Sequence, residues 1–120
     1  MSAVKTKRIA ELNDQLRSRV GIPTFGGSVP GRAMMTVGIM SLTPEQIIHI
    51  WAGVRNHNVF TEDNDPYGEH DFGSLEISAP IKVFWKIDYY ADEKCNAGCE
   101  NPSDPAKSYR ILTIMLAEEY

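Results

Sequence analysis

The usual chemical equipment of enzymes and metalloproteins is scarce in this chain of 120 residues. Its two cysteines, Cys95 and Cys99, are spaced C-x-x-x-C, which supplies at most half of a tetrahedral zinc site. The three histidines, His49, His57 and His70, lie well upstream and do not complete it. Two free thiols are the default for such a pair in a reducing compartment, ahead of a local disulfide or a half-site completed by dimerisation. No nucleophile elbow, phosphate loop, dinucleotide fingerprint or zinc motif occurs. No apolar run approaches the roughly 20 residues that span a bilayer. The basic start M-S-A-V-K-T-K-R lacks a following apolar segment, so no secretory signal is expected and the cytoplasm is the expected location. No cofactor is implied.

What the chain has in excess is negative charge, and on one side. Residues 1–60 carry seven Lys/Arg against three Asp/Glu, while residues 61–120 carry five against thirteen. The acidic half is a poor partner for a phosphate backbone, so direct nucleic-acid binding is not expected. Lys5, Lys7, Arg8, Arg17 and Arg19 read as a solvated helix face. The densest stretch is F-T-E-D-N-D-P-Y-G-E-H-D-F at 60–72, with Glu62, Asp63, Asp65, Glu69 and Asp71 broken by Pro66 and Gly68. Carboxylates this close repel unless a cation, a basic partner or backbone N–H groups hold them.

Three readings follow. A calcium loop counted from Asp63 has acids at positions 1, 3 and 9 and Gly68 at position 6. It lacks the bidentate glutamate, since position 12 is Ser74, and Pro66 stiffens the turn. A turn is well specified by Asn64-Asp65-Pro66-Tyr67-Gly68. A protein-binding surface accounts best for the excess of charge.

Residues 3–19 place Ile9, Leu12, Leu16 and Val20 at helical spacing, ended by Gly21 and Pro23. A Gly/Pro-rich connector at 21–32 leads to a body at 33–120, all within one domain, 1–120. Ala33 to Met40 reads as a short buried strand. Thr43, Pro44 and Gln46 form a capping box that starts a helix running to about Asn56, with Ile47, Ile48, Ile50, Trp51 and Val54 apolar. Alternation over 72–79 and 81–90, broken at Pro80, predicts an antiparallel hairpin or a bent strand pair, and Ser108–Leu116 predicts a last strand. Trp51 and Trp85 read as core aromatics. The order α-β-α-β-β-β is that of an α+β domain, with two helices on one face of a mainly antiparallel sheet of about four strands.

The blocks N-D-P-Y-G-E-H-D-F-G at 64–73, F-W-K-I-D-Y-Y at 84–90 and L-T-I-M-L-A-E-E-Y at 112–120 carry a family likeness. With R-I-A-E-L-N-D near the N-terminus and the apolar M-M-T-V-G-I segment, the chain resembles the bacterial family called domain of unknown function 3768. The resemblance implies little chemistry: no activity is established for the family, and its members tend to sit on mobile elements. It attaches no role to Cys95 or Cys99.

The expected function is therefore a small non-enzymatic protein that binds a protein partner through Glu62, Asp63, Asp65, Tyr67, Glu69 and Asp71, joined by Asp92, Glu93, Glu100, Glu118 and Glu119 if the fold gathers them. Rows of carboxylates compete for Lys/Arg grooves that normally hold phosphates. With the mobile-element setting, this suggests an inhibitor of a basic, nucleic-acid-handling effector, an anti-CRISPR or anti-restriction factor. The alternatives are a hydrolase or nuclease-type enzyme using His70 with nearby carboxylates, and a plain dimerising module.

Overall fold

A computed structural model of the chain describes residues 3–22, 29–78 and 81–120. The first element is α1 (Ala3–Arg17), and its turn-like continuation stops at Gly21, which takes φ +79°. Pro23 and most of the glycine-rich connector lie outside the described residues. Ile9, Leu12 and Leu16 are almost fully buried, as their spacing predicts. After the connector come β1 (Gly31–Met35), a single helical turn α2 (Val37–Met40) and α3 (Pro44–Asn56). The capping box of α3 forms as expected: Gln46 N–H donates to Thr43 Oγ1 at 3.1 Å, and Thr43 N–H to Gln46 Oε1 at 3.0 Å. Then β2 (Phe72–Ser78), β3 (Ile81–Tyr90) and β4 (Tyr109–Leu116) complete the sheet, and Ala117–Glu119 closes with a short 3-10 turn.

The sheet order is β1-β4-β3-β2. Strands β2, β3 and β4 form an antiparallel meander, while β1 lies parallel to β4. The fold is α+β, with a mixed sheet. Strand alternation then decides the layers. Val83, Trp85 and Ile87 of β3 and Leu112 and Ile114 of β4 point to one side and meet Leu12 and Leu16 of α1 and Ile50 and Val54 of α3 in one core. Trp85 lies across Gly73, its partner in register, where an added Cβ would sit 2.5 Å from the indole. A glycine is required there. On the other face Phe72 and Phe84 pack against each other, and the Tyr120 ring meets both edge-on.

One expected strand is corrected. Ala33 to Met40 is not a buried strand. The strand ends at Met35, is an edge strand exposed over Arg32–Met34, and gives way to α2, in which only Ile39 is buried. The C-terminal turn explains the change of structure. The Glu119 carboxylate accepts from Thr36 Oγ1 at 2.5 Å, Gly38 N–H at 3.0 Å and Leu116 N–H at 2.9 Å, so it satisfies donors that an extended chain would leave open. These bonds hold its pKa below the ordinary glutamate value.

Candidate functional site

The acidic segment folds as a self-bonded loop between α3 and β2. Thr61 and Asn64 bond reciprocally, Thr61 N–H to Asn64 Oδ1 at 2.7 Å and Asn64 N–H to Thr61 Oγ1 at 3.3 Å. Asn64 also donates to Val59 O, and Asp65 N–H to Thr61 O. Gly68 N–H reaches Asp65 O, with Gly68 at φ +70° as the turn chemistry demands. His70 takes φ +56°, a rare conformation for a residue with a side chain. It is held there by Asp65, whose two carboxylate oxygens accept the His70 N–H at 3.2 and 3.3 Å.

The loop is then fastened to α1. His70 Nδ1 lies 3.0 Å from each carboxylate oxygen of Asp14, within hydrogen-bond reach of both. His70 Nε2 is 3.7 Å from Asp65, and the ring stacks on Phe60 at 3.7 Å and 4°. Asp14 also accepts from Arg17, which is buried and reaches the carbonyls of Val54 at 2.8 Å and His57 at 2.7 Å. Arg17 thereby satisfies acceptors left open at the C-terminal end of α3.

A second set of bonds runs from the same helix into the sheet. Asn13, fully buried, donates to Glu69 O at 2.9 Å and Tyr89 Oη at 2.8 Å and accepts from Arg110 Nε at 2.6 Å. Tyr89 in turn donates to the Glu69 carboxylate at 3.0 Å. Arg110 completes its bonds to Ser108 Oγ and Pro102 O, and its guanidinium lies over the Tyr89 ring. All its hydrogen-bond acceptors are neutral, so burial lowers its pKa, and burial likewise raises that of Tyr89. Neither is poised for proton transfer near neutrality.

The sequence-predicted residues therefore separate. Glu62, Asp63 and Tyr67 face solvent, Tyr67 being 80% exposed. Asp65 is buried and Glu69 partly buried, each occupied by a bond of the framework. Asp71 is partly buried, and burial together with the Glu69 charge lifts its pKa above the ordinary aspartate value. Of the other acids in the second half, Asp92 and Asp104 accept from main-chain amides of their own loop, Asp88 pairs with Lys86 at 3.0 Å, and Glu119 holds α2.

The sequence does not mark Asn13, Asp14 or Arg110 as participants, and it reads Arg17 as part of a solvated face, whereas the structure buries both Asn13 and Arg17. A signal was present. Positions 9, 12, 13, 16, 17 and 20 form one helical stripe, so Asn13 and Arg17 lie among the apolar residues and must find partners inside.

A cleft of about 620 Å³ opens between Thr6, Lys7, Glu11 and Asp14 of α1 and Gly68 and His70 of the loop. Among the described residues no group of three or more His, Cys, Asp or Glu is placed to hold a metal ion, and no helix is long and apolar enough to cross a membrane. Cys95 and Cys99 are both free thiols.

Fold and site together define a small α+β protein whose acidic loop is clasped by an N-terminal helix. The chain belongs to the family described as Protein of unknown function (DUF3768), whose model matches residues 35–119. That span holds the acidic loop and most of the sheet, while the clasping helix α1 precedes it. No curated protein and no solved structure matches the chain.

Proposed function

We propose that this protein is a non-enzymatic binding protein that engages a basic protein partner through the outer side of the loop at 60–71. The observation that carries this reading is the division of labour among the loop's side chains. Asp65, Glu69 and His70 are bonded inward, while Tyr67 stands 80% exposed beside the solvent-facing Glu62 and Asp63. A loop fixed before it meets its partner loses less conformational entropy on binding. Tyrosine is a favoured anchor at such interfaces, and unpaired carboxylates speed encounter with a basic surface. Of the acidic residues first considered, Glu62 and Asp63 make contact in this reading, and Asp65, Glu69 and Asp71 form the frame.

The partner class we propose is a nucleic-acid-handling effector whose Lys/Arg groove takes up the carboxylates, which makes the protein an inhibitor of restriction or of CRISPR interference. The test is binding to purified effector complexes over a salt series. Tyr67→Ala and the pair Glu62→Gln/Asp63→Asn should each weaken binding by on the order of tenfold. The charge pair should also flatten the salt dependence. Binding that ignores salt and survives all three changes rejects this reading.

The enzyme alternative draws on one specific feature, the His70–Asp14 pair at the mouth of the cleft. Against it, both ring nitrogens already face carboxylates, at 3.0 Å and 3.7 Å, which leaves neither directed at a substrate. His70→Ala separates the two: it abolishes a His-dependent activity, but leaves a charge-driven binder with only the loss of loop order.

A further inference from the structure

The two edges of the sheet are built differently. At the β2 edge the register slips between Glu76 and Ser78, and the exposed Glu76 adds a charge, two devices that discourage strand addition. The β1 edge has no bulge, and its one charge, Arg32, is engaged within the chain, reaching Glu93 O at 3.4 Å and lying over the Tyr109 ring. Its phase is fixed by bonds at both ends of the parallel ladder, Arg110 N–H to Pro30 O and Thr36 N–H to Ile114 O. Arg32 and Met34 therefore turn their main-chain groups to β4, and Gly31, Ala33 and Met35 turn theirs outward. Among the described residues those outward groups have no main-chain partner. Beside them Met34 is 48% exposed, and Val37 and Met40 of α2 are 81% and 58% exposed.

The geometry points to a second copy of this chain as the occupant of that edge, paired antiparallel about a two-fold axis at Ala33. The segment is self-complementary in this register. Ala33 meets its own mate at the axis, where a small side chain is needed, and Gly31 faces Met35 of the other copy, so all three outward positions form hydrogen-bonded pairs. On the opposite face Arg32 meets Met34 of the partner, so no like charges are opposed. The apolar Met34, Val37 and Met40 carry no charge, as an isologous contact favours, since identical surfaces meet across the axis. The product is a continuous eight-stranded sheet with two copies of the acidic loop.

The test is mass by light scattering or sedimentation over a dilution series. The wild-type chain is expected to rise from 13.4 kDa to twice that mass. Met34→Lys sets a lysine against the partner's Arg32 and should weaken self-association by on the order of tenfold, while Met34→Glu makes an opposite-charge pair and should keep or tighten it. The side chain is exposed, so the fold of both variants is expected to survive. Ala33→Pro removes an outward N–H without touching the inner ladder and should give a monomer. A wild-type chain of 13.4 kDa at every concentration overturns the inference, as does a dimer that responds alike to Lys and Glu at position 34. Capture of an extended segment of another protein by a monomeric chain overturns it as well.

Discussion

Two acid-bearing loops join the strands and helices of this molecule, and they are put together in opposite ways. The loop at 60–71 is cross-braced to two other elements: Asp65 holds its backbone, His70 reaches Asp14 on α1, and Glu69 reaches Tyr89 on β3. The loop at 91–107 mostly bonds to itself. Asp92 accepts from Lys94 N–H, Asp104 from Ala106 N–H, and Ala91 N–H closes on Ala97 O. Its reach outward is limited to contacts such as Pro102 O with Arg110 and Cys95 with Arg32. Similar composition thus serves two ends. An acid count locates polar loops, but which acids are structural depends on what a distant helix brings to them.

That contrast can be broken where the bracing is deepest. Asn13→Ala leaves the buried Arg110 Nε and the Glu69 carbonyl without their partner and should cost roughly 2–4 kcal/mol of stability in chemical denaturation. Asp65→Asn weakens the acceptor of the His70 N–H and should cost about 1–3 kcal/mol, with the loss concentrated in loop protection. Asp92→Asn, the matching change in the self-bonded loop, should stay within about 0.5 kcal/mol. Equal effects of Asp65→Asn and Asp92→Asn would dissolve the distinction between the two loops.

Titration sharpens the same comparison. Burial, then the charge of Arg17, holds the His57 pKa below the ordinary value, and its buried Nε2 has no hydrogen-bond partner among the described residues. A base with a depressed folded pKa is protonated first in the unfolded chain, so stability should fall as pH drops below about 6.5. His57→Phe should make that acid limb shallower. For Asp71 the sign is reversed. Its raised pKa means that ionisation opposes folding, so the penalty sets in as pH rises through the ordinary aspartate value. Asp71→Asn should therefore raise the melting temperature slightly at neutral pH, and the difference should vanish in acid.

Much of the architecture was legible in the residues. The 3–4 spacing of Ile9, Leu12 and Leu16, the Thr43–Gln46 capping box and the alternation through Trp85 each signal a local structure that forms, because each is decided within a few residues. Ala33 to Met40 misled for the complementary reason. Its apolar run looks like a buried strand, but its fate depends on Glu119, some eighty residues away, whose carboxylate captures the Gly38 amide. The site divides along the same line. Turn chemistry at Asn64–Gly68 was readable, while the clasp through Asn13, Asp14 and Arg17 requires knowing which helix face the loop meets.

Amide hydrogen exchange at His70 tests the clasp most directly. In the wild-type chain this amide should exchange far more slowly than those of Glu62 and Asp63, and Asp65→Asn should release it while the core strands stay protected. A His70 amide that exchanges at the rate of an open loop in the wild-type chain would contradict a prebuilt platform and the binding role assigned to it.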